Sequence, residues 1–291
     1  STRYFFRIAA VNILGNEGVR SDAKTNVTVP SQVRNLTVSS IDTSRISLSW
    51  NAVPGSPARY RIYRGLDSSS VIIIDSAVGT SYTSSGLEPS TRYFYRVHAV
   101  NEVTVAGIAS FANGTLTHPA NPLNVVATAL DTNRITTTWS PGHNGAAYYR
   151  VYQGSDSSSV FFIDTTSSTS FTHAGLAPST GYFFRISAVN AIGNEGAMSY
   201  AANAVTHPAQ PHNLFAGSLD TTRIQLTWQS GGGTNSLYRV YRSINGIAFA
   251  RVDSAASVSA VDVSLTPSTR YYYKISAVNS VGVEGEQSLV A

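Results

Sequence analysis

Histidine is the residue here best suited to proton transfer or metal binding near neutral pH, and the chain has six: His98, His118, His143, His173, His207 and His212. No two of them stand at metal-ligand spacing on a common element, so they do not read as a metal centre. His118 and His207 are 89 residues apart and each precedes a proline, which reads as linker geometry. Cysteine is absent. That removes disulfide frameworks, thiolate metal sites and thiol catalysis together. The sequence holds no Gly-x-Ser-x-Gly elbow and no phosphate-cradling glycine loop. Asp42, Asp131 and Asp220 recur at one period, each in a turn, where aspartate accepts hydrogen bonds from its own turn backbone. A reactive carboxylate copied into every repeat would be odd, whereas a turn residue is expected there. These residues point to a chain without catalysis, metal or cofactor.

More promising are side chains that recur as surfaces. Arg61, Tyr63, Phe94 and Arg96 return as Arg150, Tyr152, Phe183 and Arg185, and again as Arg239, Tyr241, Tyr272 and Lys274. Interleaved cations and rings stack across strands at about 0.5 to 1 kcal/mol per exposed pair. The alternative use of such a face is a platform for sugar rings or a neighbouring chain. A second surface is the run Val71 to Ile74, echoed as Val160 to Ile163 and Phe249 to Val252. With strict alternation, and Arg251 not pointing inward, Val71, Ile73, Val160, Phe162 and Phe249 face out. Exposed apolar side chains on an edge strand invite pairing with another chain unless a crossover covers them. Sequons stand at Asn26, Asn35 and Asn113. They are glycosylation candidates only in a eukaryotic secretory route.

The elements that position these residues follow from an internal repeat. Trp50, Trp139 and Trp228 are spaced by 89 and 89 residues. The segment from Ser90 to Val97 recurs from Ser179 to Ile186, from Ser268 to Ile275 and, one period earlier, from Ser1 to Ile8. Pro30, Pro119 and Pro208 keep the same register. The chain therefore divides into 1-29, the C-terminal part of a repeat, and three repeats near 30-118, 119-207 and 208-291. Within a repeat the apolar period is two: Ile46, Leu48 and Trp50 alternate with Ser47 and Ser49. Turn residues such as Val53-Pro54-Gly55-Ser56 and Leu87-Glu88-Pro89-Ser90 separate the runs. No stretch reads as a helix. About seven short strands per 89 residues predict tandem seven-stranded antiparallel β-sandwiches joined by short proline-containing linkers, an all-β chain.

The Trp of the second strand, the Tyr-x-hydrophobic step at Tyr60, Tyr149 and Tyr238, and the Leu-x-Pro-Ser-Thr-x-Tyr corner ending at Tyr93, Tyr182 and Tyr271 resemble the fibronectin type III domain, of bacterial extracellular style. The corner is followed by Ala-Val-Asn from Ala99, Ala188 and Ala277. The resemblance implies sheets A-B-E and G-F-C-C′ and a corner Tyr hydroxyl bonded to upstream backbone. Two departures stand out: Thr137 where Leu48 and Leu226 face the core, and Ala260 where the other repeats have Tyr82 and Phe171. No Arg-Gly-Asp occurs, which does not support the family's integrin-binding use.

Charged residues are only 12% of the chain, while Ser and Thr together number 69. That composition suits an extracellular or cell-surface protein. A net charge of +4, scattered along the chain, does not argue for nucleic acid. No apolar run approaches the roughly 18 residues of a membrane helix. The leading expectation is a structural or adhesive segment of an extracellular repeat protein (stalk, adhesin or fibre), partnered by neighbouring repeats or by its own copies. The alternatives are spacer modules of a secreted polysaccharide-degrading enzyme, or modules that bind polysaccharide. Residues 1-29 hold two strands with no opposite sheet. Upstream chain or a second subunit is expected to cover them.

Overall fold

Serine-rich alternation and frequent turn residues leave little for a helix to use, and the computed structural model is built of strands. It describes residues 1–55, 57–143 and 145–291, and no helix occurs among them. Two compact units are present. The first comprises Ser1–Ala120 with two short segments, His143–Ala147 and Val189–Ala197. The second comprises Asn121–Gly142, Tyr148–Ala188 and Met198–Ala291.

In the first unit, β1 (Arg3–Phe6) and β2 (Lys24–Val27) form an antiparallel pair. A complete sandwich follows: β3 (Thr37–Ser40), β4 (Ile46–Ser49), β5 (Arg59–Gly65), β6 (Ile72–Ala77), β7 (Ser81–Ser84), β8 (Arg92–Val100) and β9 (Asn113–Leu116). These correspond to A, B, C, C′, E, F and G. The sheets run β3-β4-β7 and β6-β5-β8-β9, which is the expected A-B-E and C′-C-F-G order.

The second unit repeats this plan twice. Its first sandwich uses β10 (Leu123–Ala129), β11 (Ile135–Ser140), β12 (Tyr148–Gly154), β13 (Val160–Thr166), β14 (Ser170–His173), β15 (Gly181–Val189) and β16 (Ala202–Val205), with the same strand order. Its second uses β17 (His212–Ser218), β18 (Ile224–Gln229), β19 (Leu237–Ser243), β20 (Ala250–Ala255), β21 (Ser259–Asp262) and β22 (Tyr272–Val278). There the last strand position is occupied by backbone around Ala291, which exchanges hydrogen bonds with Tyr273 at 3.0 and 3.1 Å.

The inward residues of the two sheets make each core. Ile46, Leu48, Trp50, Tyr60, Ile62, Tyr95 and Val97 are buried together in the first sandwich. Trp50 meets the Tyr60 ring edge-on at 5.3 Å, and the same pair recurs at 5.3 Å for Trp139–Tyr149 and 5.4 Å for Trp228–Tyr238. Such pairs add about 0.5 to 1.5 kcal/mol to their area burial. The corner closes as the resemblance implies. The N–H groups of Glu88, Ala177 and Thr266 donate to the hydroxyls of Tyr93, Tyr182 and Tyr271 at 3.1, 2.9 and 3.0 Å.

Candidate functional site

The recurring aspartates are turn residues. The Oδ1 atoms of Asp42, Asp131 and Asp220 accept from the N–H groups of Ser44, Asn133 and Thr222 at 2.8, 2.9 and 2.8 Å. Their Oδ2 atoms accept from Arg45, Arg134 and Arg223 at 2.7, 2.7 and 2.6 Å. Backbone donation from Ser44, with Arg45 beside it, holds the Asp42 carboxyl below its usual range. Among the described residues no group of three or more His, Asp and Glu side chains converges to hold a metal ion.

The cation and ring face lies where β5 pairs with β8. There Tyr63 opposes Arg96 and Arg61 opposes His98. Arg61, Tyr63, Phe94 and Arg96 are half-buried, as are Arg150, Phe183 and Arg185, while Tyr152 is buried. Several of them are engaged with neighbouring residues. Tyr63 stacks on His98 at 4.7 Å, Tyr152 meets Phe162 edge-on at 5.9 Å, and Arg96 donates to the Ser68 carbonyl at 3.1 Å. In the third repeat Glu284, from the loop before the last strand, accepts from Arg239, Tyr241 and Ser276. A sugar platform needs an open ring face, and the Tyr63 and Tyr152 rings are engaged in cross-strand contacts. Glu284 was not foreseen; Glu17 and Glu195 hold its place at the 89-residue period, but nothing in the sequence says what it would reach.

The edge surface differs from strict alternation. Ile73 and Phe162 are exposed, Val71, Val160 and Phe249 are half-buried, and Ile72 and Phe161 are exposed as well. The cause is a β-bulge. Ile62 opposes Asp75 but Tyr63 opposes Ile73, so Ile74 is an extra residue, and the shift recurs at Val151/Tyr152 and Val240/Tyr241. Ile74 turns half inward against the core. β6 is the free edge of its sheet, and Ile72 and Ile73 stay exposed on it. A hollow of about 400 Å³ lies beside it, lined by Arg59, Arg61, Ile73, Ile74, Asp75 and Ser76.

The middle repeat departs most in its core. Position 84 is Ser, 173 is His and 262 is Asp. In the first repeat Arg64 donates to Ser84 at 3.1 Å. In the third Arg242 pairs with Asp262, which also accepts from the Tyr273 hydroxyl at 2.8 Å. The second repeat has Gln153 and Phe184 in place of that Arg and Tyr. There His173 is buried, its Nε2 lies 3.2 Å from the Thr137 hydroxyl, and its ring stacks on Phe184 at 4.0 Å. Thr137 is polar in a core position because it partners His173. Burial pushes the His173 imidazole down to about 4.

The sequon asparagines are all exposed. Asn35 has a left-handed φ of 55°. Asn113 already donates its amide to the Leu36 carbonyl at 2.9 Å.

The fibronectin type III domain model matches residues 31–109 and 120–204. The chain belongs to that family. It is 29% identical over 92% of its length to a region making up 26% of Exoglucanase B of Cellulomonas fimi. It is 30% identical over 62% of its length to 26% of Chitinase A1 of Niallia circulans. It is 25% identical over 99% of its length to 13% of the rat phosphatidylinositol phosphatase PTPRQ. The chain thus spans about a quarter of the bacterial relatives it matches.

Proposed function

We propose that the chain is a run of extracellular spacer modules, serving a secreted enzyme that acts on an insoluble polysaccharide. The observation that carries this reading is the match, over nine-tenths of the chain, to a quarter of an exoglucanase. A chitinase and an endoglucanase from the same comparison support it. A sparsely charged, hydroxyl-rich composition and closed apolar cores suit the role: such modules set distance and exclude themselves from the chemistry. The test is depletion from solution. The isolated chain, shaken with insoluble cellulose or chitin, is expected to remain in the supernatant. Retention on either solid would favour the polysaccharide-binding alternative and overturn a pure spacer.

The structural or adhesive reading, in which copies associate along a stalk or fibre, keeps one specific observation in its favour. The β6 and β13 edges carry Ile72, Ile73, Phe161 and Phe162 exposed on strands unpaired on one side.

A further inference from the structure

The asparagines of Ala-Val-Asn each do two things. Their Oδ1 atoms organise the loop between the last two strands: Asn101 accepts from Val105 at 2.9 Å, Asn190 from Ile192 and Asn194 at 3.2 and 3.0 Å, and Asn279 from Val281 and Val283 at 3.2 and 2.9 Å. Their Nδ2 atoms reach the end of the preceding repeat. Asn101 donates to the Thr28 carbonyl at 3.2 Å and Asn190 to that of Thr117 at 3.0 Å, both within the first unit. Asn279 donates to that of Thr206 at 3.0 Å within the second. All three asparagines are buried.

The acceptor end is itself held. The Thr206 hydroxyl donates to Ala177 O at 2.7 Å and its N–H to Thr180 O at 3.1 Å. His207 donates to Asp131 O at 3.0 Å and accepts from Ser179 N–H at 3.2 Å. So the backbone before Pro208 is anchored in its own repeat, and the carbonyl offered to Asn279 has a fixed direction. A glycine completes each junction. A Cβ built on Gly107, Gly196 or Gly285 would stand 2.3, 2.2 or 2.5 Å from the carbonyl oxygen of Pro30, Pro119 or Pro208, too close for any other residue without a shift.

We propose that in the second unit Asn279 and Gly285 form a latch: the asparagine grips the strand end of the preceding repeat, the glycine lets the same loop close on the linker proline, and together they hold that junction at a fixed angle. The partner is a tandem copy of the same module, and specificity lies in a main-chain carbonyl presented just ahead of a proline. The latch rests on the spacer reading only for its use, since a spacer with held junctions keeps a defined reach.

The cysteine-free chain allows a direct measurement. Nitroxides on Ser167→Cys and Ala256→Cys, equivalent exposed turn positions of the second unit, report their separation by pulsed electron spin resonance on the full chain. The unaltered junction is expected to give one narrow distance distribution. Asn279→Asp keeps the loop acceptor and removes the donor. It is expected to broaden the distribution about twofold, as for domains without a holding interface. If that variant lowers the melting temperature, Gly285→Ala, which displaces Pro208 and leaves Asn279 intact, decides instead. A broad distribution in the unaltered junction, or a narrow one in both variants, overturns the latch. Neither result bears on whether the chain binds polysaccharide, so the spacer reading stands or falls separately.

Discussion

At the scale of single residues, the three repeats write one polar position at the core's edge three ways. Position 84 and its counterparts carry Ser, His and Asp, and the partners change with them: Arg64, Thr137 and Arg242. The sequence exposes Thr137 as a departure, but its reason lies 36 residues away on a neighbouring strand, and no periodicity links the two. A pH dependence follows. His173 titrates at about 4 in the fold against an ordinary value of 6.5, so the unfolded chain binds the proton first. The stability of the second repeat is therefore full above pH 6.5 and falls as pH drops from there through about 4, by at most about 3 kcal/mol. Thr137, Phe171 and Phe184 contact the ring without charge, and among the described residues lining the cavity of about 370 Å³ beside it Asp164 is the charged one. Calorimetry of the whole chain from pH 7 to 4 checks this. Burial also lowers His98 in the first repeat, so the comparison is with Thr137→Leu/His173→Ser, which installs the first repeat's residues and should flatten the second repeat's response alone. A response unchanged by that double substitution would falsify the assignment.

At the scale of elements, the strands were legible from period-two alternation and turn residues, and their order from the resemblance to the fibronectin type III domain. The bulge in β6, β13 and β20 was not. It adds one residue to one strand of a pair, and that residue is an ordinary apolar side chain such as Ile74, so its local sequence reads as continued alternation. The consequence is that Ile72 and Phe161 join Ile73 and Phe162 on the open edge. Replacing these four by Lys should weaken any lateral association, because charges on an edge strand disfavour an added strand. Sedimentation at high protein concentration measures it. An unchanged distribution would remove the edge as an assembly surface. The loop before the last strand was legible in its glycines and its Asn, but the reach of Asn279 to Thr206 O, 73 residues away, belongs to the fold.

At the scale of the whole molecule, the 89-residue period makes stability close to a sum over modules with small junction terms, such as the Asn279 to Thr206 and Ser179 to Asn235 hydrogen bonds of the second unit, of about 1 kcal/mol each. Trp139→Ala should cost about 3 to 5 kcal/mol in the second repeat alone; a calorimetric trace in which every repeat shifts together would contradict that. The pair β1/β2, a sheet of two strands, tests the same logic. Its register, Arg3↔Val27 to Phe6↔Lys24, is that of Arg92↔Leu116 to Tyr95↔Asn113 moved by one period. The side chains also correspond. Yet Tyr4 and Phe6 are 52% and 59% exposed where Tyr93 and Tyr95 are 9% and 0%. What differs is the opposite sheet, and a two-stranded pair without one is marginal in water. The amides of β1 and β2 should therefore exchange with solvent far faster than those of β8 and β9. Grafting residues 30–89 ahead of Ser1 supplies strands A to E in the chain's own sequence, in register with the 89-residue period. Hydrogen exchange of β1 and β2 should then slow toward that of β8 and β9 as Tyr4, Phe6 and Ile8 are covered. If the grafted chain leaves those amides unprotected, shared register is not enough to specify the last two strands of this sandwich, and the partition of residues 1-29 as part of a repeat fails.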